Sequence, residues 1–153
     1  MSGTGHTVKS YEEEMQSLND NLVMMGSLTE NQMADAMAAV IKVDKESVDK
    51  IVKNDGKINE LRSTIDNQIT TVLVKRAPMA VDLRITISTM KISHDLERIG
   101  DLAKSVAKKV KPLPVDLPDE LIGSLRRLGD LVQKQLKDAL DAYLNRSKDK
   151  AIE

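Results

Sequence analysis

The chain has 153 residues with no Phe and no Trp, and it is rich in Leu, Ile, Val, Ala, Lys and Glu, which predicts an all-α fold. The absence of Cys excludes disulfides, thiolate metal sites and cysteine nucleophiles. Acidic and basic residues are interleaved at a net charge of -1, which argues against a nucleic-acid surface. The apolar stretches are too short to span a membrane, so we expect a cytoplasmic protein.

The first three predicted helices are long and separated by short breaks. The first runs from about residue 7 to about residue 43, with apolar residues at spacings of three and four. Asp44 is the expected N-cap of the second, which continues to about residue 75. Pro78 breaks that helix and opens the third, which continues to about residue 110. The expected core face of the third helix consists of Ile85, Ile92, Leu96, Ile99, Ala103, Val106 and Val110.

Short breaks between long helices force antiparallel packing, so residues 1–111 are predicted to form an antiparallel three-helix bundle. Prolines make residues 112–117 a stiff, extended linker. A fourth helix is expected from residue 118 to about residue 144, within a second unit that covers residues 118–153.

The fourth helix looks like a second copy of the first, because residues 22–45 align without gaps with residues 125–148. We therefore expect the chain to end early in a second three-helix repeat. The alternative is a self-sufficient four-helix protein in which two Leu- and Ala-rich helices are similar by chance. Without its own partner helices, the fourth helix would present an apolar face that draws two chains into a homodimer.

Two carboxylates lie one turn apart on the third helix. Glu97 and Asp101 are about 40° apart on a helical wheel and are predicted to point roughly away from the apolar stripe. Their repulsion is unfavourable unless a cation lies between them, either a neighbouring Lys or Arg or a metal ion. Carboxylates suit Mg, Mn or Fe, and the nearby His94 would widen the choice to Zn. Such a spacing is also common on solvated helix faces. Asp55 begins a weaker polar ladder beside the stripe of the second helix.

No nucleophilic triad, P-loop or glycine-rich nucleotide loop can be assembled from these residues. Two carboxylates could in principle transfer protons, but the faces of a slender bundle provide no obvious pocket that excludes water. We therefore expect a protein that is not an enzyme.

Two motifs on the third helix carry a family resemblance. Residues 78–84 read Pro-Met-Ala-Val-Asp-Leu-Arg, and residues 96–101 read Leu-Glu-Arg-Ile-Gly-Asp. At this separation they resemble the PhoU family, whose members have two three-helix repeats. The resemblance implies a negative regulator of the phosphate-starvation response. Such a regulator couples the Pst phosphate ABC transporter, through its ATPase subunit, to a PhoR-type sensor histidine kinase.

The resemblance also implies candidate metal ligands. Some family members bind multinuclear iron or zinc clusters through Glu/Asp-x-x-x-Asp motifs, and Glu97 with Asp101 matches such a motif. Asp55 is the matching residue of the second helix, although Asn59 stands where a second carboxylate is expected. Leu102 stands where the family often has His.

Three charged residues of the third helix, Asp82, Arg84 and Arg98, are predicted to bind partners. A pattern of charge on an exposed helix favours recognition of a complementary surface. A hypothesis of a different class is a structural helical-bundle or coiled-coil protein with a solvated acidic face and no metal. The two motifs on one helix favour the regulator.

Overall fold

The computed structural model describes residues 3–145, with side chains for residues 9–145. Four α-helices follow in chain order: α1 is Gly3–Lys42, α2 is Ser47–Arg76, α3 is Ala80–Lys108 and α4 is Asp119–Leu144. Residues 3–145 contain no strand, so the all-α prediction is confirmed. None of the helices in this range is both long enough and apolar enough to cross a membrane. The end of the predicted second unit, residues 146–153, lies outside the described residues.

Helices α1, α2 and α3 each pack against the other two, and α4 packs against α1. The predicted three-helix bundle is therefore present, with the fourth helix attached to one side of it. Asp44 caps α2 as expected, because its Oδ1 accepts the backbone N–H groups of Glu46 and Ser47, both at 3.1 Å. The Ser47 hydroxyl donates to Asp44 Oδ2, and this bond, followed by the backbone hydrogen bonds, holds the pKa of the Asp44 carboxyl below its usual value.

The turn between α2 and α3 places Pro78 outside both helices. Ala77 ends α2 in the left-handed conformation, with φ 42° and ψ 56°, and Ala80 has φ 50°. Such values cost a residue other than glycine about 1 kcal/mol or more. The predicted start of α3 at Pro78 is thus wrong by two residues, because the chain must first reverse its direction.

The core of the bundle is divided into two apolar clusters. One is formed by Ala36, Ala39, Val40, Val48, Ile51, Ala103, Ala107 and Val110. The other is formed by Leu18, Leu22, Met25, Ile58, Ile65, Ile69 and Leu96. Between them lie buried positions that are not apolar: Thr29 and Gln32 on α1, Asp55 on α2 and Gly100 on α3. We call Gln32, Asp55 and Gly100, which are linked by hydrogen bonds from Gln32, the polar layer.

The buried face of α3 differs from the predicted one. It consists of Thr86, Thr89, Ser93, Leu96, Gly100, Ala103 and Ala107. This face is rotated by about 60° from the predicted stripe, taking 100° per residue. Ile99, which was expected at the centre of the stripe, is only half-buried. Small side chains let α3 approach its neighbours closely, and the hydroxyls of Thr86 and Thr89 donate to the backbone carbonyls of Asp82 and Ile85 at 2.8 and 3.0 Å.

The contact between α1 and α4 is symmetric. A Cβ atom at Gly26 would lie 3.1 Å from Leu140, and one at Gly129 would lie 2.8 Å from Met37. The alignment that pairs Gly26 with Gly129 also pairs Met37 with Leu140, so the glycine of each helix contacts the side chain at the equivalent position of the other. Antiparallel helices related by a local two-fold axis pack in this way.

A neighbouring side of α4, about 100° around the helix from Gly129 and Leu140, carries large exposed apolar residues. Leu121 is 45% exposed and Leu128 is 57% exposed. Their aligned counterparts on α1, Leu18 and Met25, are 1% and 0% exposed because α2 and α3 cover them. The side of α4 that corresponds to the core face of α1 is therefore largely exposed, because little else within residues 9–145 covers it.

A charged substitution tests the observed orientation of α3. Ala103 is fully buried, and its neighbour Leu102 is 57% exposed. Ala103→Asp places an unpaired carboxylate in the core, and we expect the free energy of unfolding to fall by about 3 kcal/mol or more. Leu102→Asp should change it by less than about 0.5 kcal/mol. Urea unfolding followed by circular dichroism measures both, and equal stability of the two variants would contradict this orientation.

Candidate functional site

Asp55, one of the predicted metal ligands, lies in the core of the bundle. Its side chain is only 4% exposed. The sequence predicts it on a solvated ladder beside the apolar stripe of α2, and this prediction is wrong. Val48, Ile51, Asp55 and Ile58 follow one another at spacings of three and four, and all four are buried on the same face. A carboxylate therefore occupies a core position.

The Asp55 carboxylate joins the three helices of the bundle. Its Oδ1 accepts a hydrogen bond from Gln32 Nε2 of α1 at 2.9 Å. Its Oδ2 accepts one from Lys104 Nζ of α3 at 2.5 Å. Gln32 Nε2 also donates to the Gly100 carbonyl of α3 at 3.2 Å. The buried carboxylate is thus both paired with a cation and hydrogen-bonded, the two conditions under which a charge is tolerated in a core.

Gly100 lets α2 and α3 approach each other at this layer. A Cβ atom there would lie 3.0 Å from Ile58 Cδ1 and 3.6 Å from Asp55 Oδ1. Glycine inside a helix costs about 0.5–1 kcal/mol relative to alanine, so its place in α3 is explained by the close approach rather than by helix propensity. The Gly100 carbonyl is also an acceptor for Gln32.

Glu97 and Asp101, the two carboxylates predicted to share a cation, each contact a different basic side chain. Asp101 Oδ1 accepts a hydrogen bond from Lys104 Nζ at 2.6 Å. Glu97 Oε2 lies 3.9 Å from Arg62 Nε of α2. Of the three predicted metal ligands, the structure therefore brings Asp55 and Asp101 together through Lys104, and it directs Glu97 to a separate arginine.

These donors do not fit a metal ion in the observed arrangement. Both oxygens of Asp55 accept hydrogen bonds from other side chains, and Asp101 binds the same ammonium group of Lys104. His94 Nε2 lies 3.2 Å from a carboxylate of α2. Within residues 9–145, no three His, Asp or Glu side chains are grouped in a way that could hold a metal ion. The iron or zinc cluster implied for Glu97, Asp101 and Asp55 stays a prediction.

Sequence reasoning did not identify Gln32 and Lys104. Gln32 is 4% exposed and continues a run of core positions on α1 at spacings of three and four, so a polar residue within that run was a usable signal. Lys104 follows Asp101 by three residues, a spacing at which opposite charges meet on a helix. Hydrogen bonds to Asp101 and Asp55 raise the pKa of Lys104 above its usual 10.5. Its stabilising effect is therefore complete below pH 10.5 and is lost as the pH rises through the higher pKa of the folded state.

The predicted partner-binding residues do not share one surface. Asp82 lies beside Tyr11 of α1, where burial and the Asp82 carboxylate raise the pKa of the Tyr11 hydroxyl above 10.0. Arg84 and Arg98 are exposed and lie on the side of α3 opposite its buried face. Lys91, which the sequence reasoning left out, is exposed midway between them.

Two aspartates of α2 provide a matched test of the buried carboxylate. Asp55 and Asp49 each bind a lysine, but the Asp49 side chain is 82% exposed and its partner Lys111 is 54% exposed. We expect Asp55→Ala to lower the free energy of unfolding by about 3 kcal/mol, because it leaves the partly buried Lys104 ammonium without its deepest partner. Asp49→Ala should leave the unfolding curve nearly unchanged, since exposed pairs contribute little. Chemical denaturation compares the two variants, and a loss of similar size in both would contradict the account of Asp55.

Comparison with known proteins agrees with the motifs of α3. Residues 22–110, more than half of the chain, match the family model described as the PhoU domain. The chain is 41% identical over 150 residues to the phosphate-specific transport system accessory protein PhoU homolog of Caulobacter vibrioides, covering 97% of this chain and 65% of that relative. It is 36% identical over 148 residues to the homolog from Clostridium acetobutylicum, covering 96% of this chain and 68% of the relative.

A solved structure gives the same result. The crystal structure of PhoU from Pseudomonas aeruginosa superimposes with a TM-score of 0.83 at 33% identity, covering 93% of this chain and 68% of that one. The chain thus spans about two thirds of the length of these relatives. The resemblance carried by residues 78–84 and 96–101 is confirmed, and the chain belongs to the PhoU family.

Proposed function

We propose that this chain is a cytoplasmic, non-enzymatic negative regulator of the phosphate-starvation response. In this role it couples a Pst-type phosphate ABC transporter, through the transporter's ATPase subunit, to a PhoR-type sensor histidine kinase. The observation that carries the proposal is membership of the PhoU family, whose relatives are named accessory proteins of a phosphate-specific transport system. A protein of this kind acts by binding that biases its partners between conformations.

The outer face of α3 supports a role in binding. Arg84, Lys91 and Arg98 are all exposed and succeed one another at intervals of seven residues. Seven residues are almost two full turns, so the three cations form a nearly straight line with steps of about 10.5 Å. None of them forms an ion pair with a carboxylate of residues 9–145. We call these residues the basic line; an acidic surface on a partner would complement it.

The basic line can be tested separately from the fold. In cells, we expect loss of the protein to leave phosphate-starvation genes active even when phosphate is plentiful. Charge reversal at Arg84, Lys91 or Arg98 should reproduce part of this defect and weaken co-purification with the transporter or the kinase, because a complementary contact becomes repulsive. Lys57→Glu reverses an exposed charge on α2 and is the control, which we expect to behave as wild type. Circular dichroism shows whether each variant is folded.

Normal repression after deletion, together with no detectable association with the transporter or the kinase, would remove the regulator proposal. A structural helical-bundle protein would then be the better description. Normal regulation by all three folded charge-reversal variants would reject only the basic line as the contact surface.

We also propose that the chain forms a homodimer through the uncovered side of α4. The exposed leucines of α4 correspond to residues that α1 buries, so this side has the apolar pattern of a helix that packs against others. A second copy that offers the same side would cover it symmetrically, with or without an exchange of helices between the two chains.

Sedimentation equilibrium tests this association. We expect the apparent mass to rise with protein concentration toward that of two chains. Leu121→Glu combined with Leu128→Glu should give a monomer, because a charge opposes burial of this side. Arg126→Glu, at an exposed position about 150° around the same helix from these leucines, is the control. A wild-type monomer at all concentrations would contradict the homodimer.

A further inference from the structure

The ammonium group of Lys104 lies beside the polar layer of the bundle. Lys104 Nζ lies 2.5 Å from Asp55 Oδ2 and 2.6 Å from Asp101 Oδ1. These carboxylates are two of the three for which the family resemblance implies an iron or zinc cluster. We propose that in this chain the ammonium group of Lys104 takes the place of a metal ion between α2 and α3. The bundle then holds together without bound metal, whichever partners the protein regulates.

Burial explains why a cation is needed at this point. The Asp55 side chain is 4% exposed, and a carboxylate so far from water must be neutralised by a nearby charge. The Lys104 side chain is 22% exposed, so its stem crosses the edge of the core and its charged end reaches the carboxylate. Asp101, whose side chain is 47% exposed, completes the contact from the solvent side.

Binding of a divalent ion at the same carboxylates would compete with Lys104. A metal needs carboxylate oxygens that are free to coordinate, and its charge repels an ammonium group held a few ångströms away. Both oxygens of Asp55 already accept hydrogen bonds, Oδ1 from Gln32 and Oδ2 from Lys104. The ammonium group of Lys104 lies between Asp55 and Asp101, so a metal ion could bind both carboxylates only after the lysine had left. The tethered ammonium is present in every molecule, whatever the concentration of metal.

Besides the carboxylates, two amide oxygens beside the polar layer could contact a cation if the lysine were removed. Gln32 Oε1 and Asn59 Oδ1 are buried and have no hydrogen-bond donor. Asn59 also contacts Asp55, because its amide nitrogen lies 3.4 Å from Asp55 Oδ2. Without Lys104 the site would hold carboxylate and amide oxygens and no cation, which is a donor set that hard divalent ions prefer. A variant without the lysine should therefore gain affinity for Mn²⁺, and the wild type should have little.

The first experiment measures metal in the wild type. The chain is produced with added iron and zinc, purified without chelator and submitted to elemental analysis, and its thermal midpoint is measured with and without chelator. We expect far less than one metal ion per chain and an unchanged midpoint. Stoichiometric iron or zinc that disappears in Asp101→Asn would overturn the proposal.

The second experiment replaces the cation. Lys104→Met keeps most of the length of the side chain but removes its charge, and we expect the thermal midpoint to fall by about 5 °C or more. Lys104→Arg keeps a positive charge and should retain part of the stability. Lys108→Met, at an exposed position one turn further along α3, is the control and should melt as wild type.

Calorimetric titration with Mn²⁺ completes the test. We expect Lys104→Met to bind Mn²⁺ at least tenfold more tightly than wild type does, and added Mn²⁺ should raise its thermal midpoint. A Lys104→Met variant that is as stable as wild type would show that the ammonium is not required. If that variant does not fold but Lys104→Arg does, the need for a positive charge at this position is supported.

Discussion

The buried carboxylate of Asp55 is the constraint on which the rest of the bundle depends. A charge at 4% exposure must be neutralised and hydrogen-bonded, and partners for it come from both of the other helices. The observed register of the three helices brings Gln32 of α1 and Lys104 of α3 to it. The apolar clusters on either side of the layer supply most of the driving force for folding, but apolar contacts tolerate sliding more readily than a directional pair does.

The same constraint sets what α3 presents to solvent. Gly100 and Lys104 must face α1 and α2, so small residues such as Thr89 and Ala103 fill the closely packed side of α3. The opposite side then carries the basic line, which has no partner of opposite charge within residues 9–145. The packing of the inner side of α3 thus fixes the position of the basic line, through which we propose that the protein binds its partners.

Much of the fold could be predicted from the sequence. Helix number and order follow from apolar spacing, and the ends follow from Asp44 and from the prolines of the breaks, which limit the backbone strongly. The orientation of α3 could not be predicted, because isoleucine is the more apolar residue while threonine, serine and glycine are the smaller ones. Close packing favoured the small residues, so Ile99 lies at the edge of the core.

The candidate site was predictable only in part. Carboxylates one turn apart correctly indicated that a cation must lie nearby, and Asp101 does bind one. The depth of Asp55 was missed because aspartate is rarely buried, and spacing alone does not show which face a helix turns inward. Its partner Gln32 lies 23 positions away in the chain, a contact that exists only once the helices have packed.

The most direct test of the central claim is a double-mutant cycle between Asp55 and Lys104. Unfolding free energies of wild type, Asp55→Asn, Lys104→Met and the double variant give the coupling energy of the pair. If the Lys104 ammonium stabilises the buried Asp55 carboxylate, the coupling should reach about 1.5–3 kcal/mol. The double variant should then be more stable than the sum of the two single losses of unfolding free energy implies. A coupling below about 0.5 kcal/mol, the size found for exposed ion pairs, would show that the pair does not hold the bundle together.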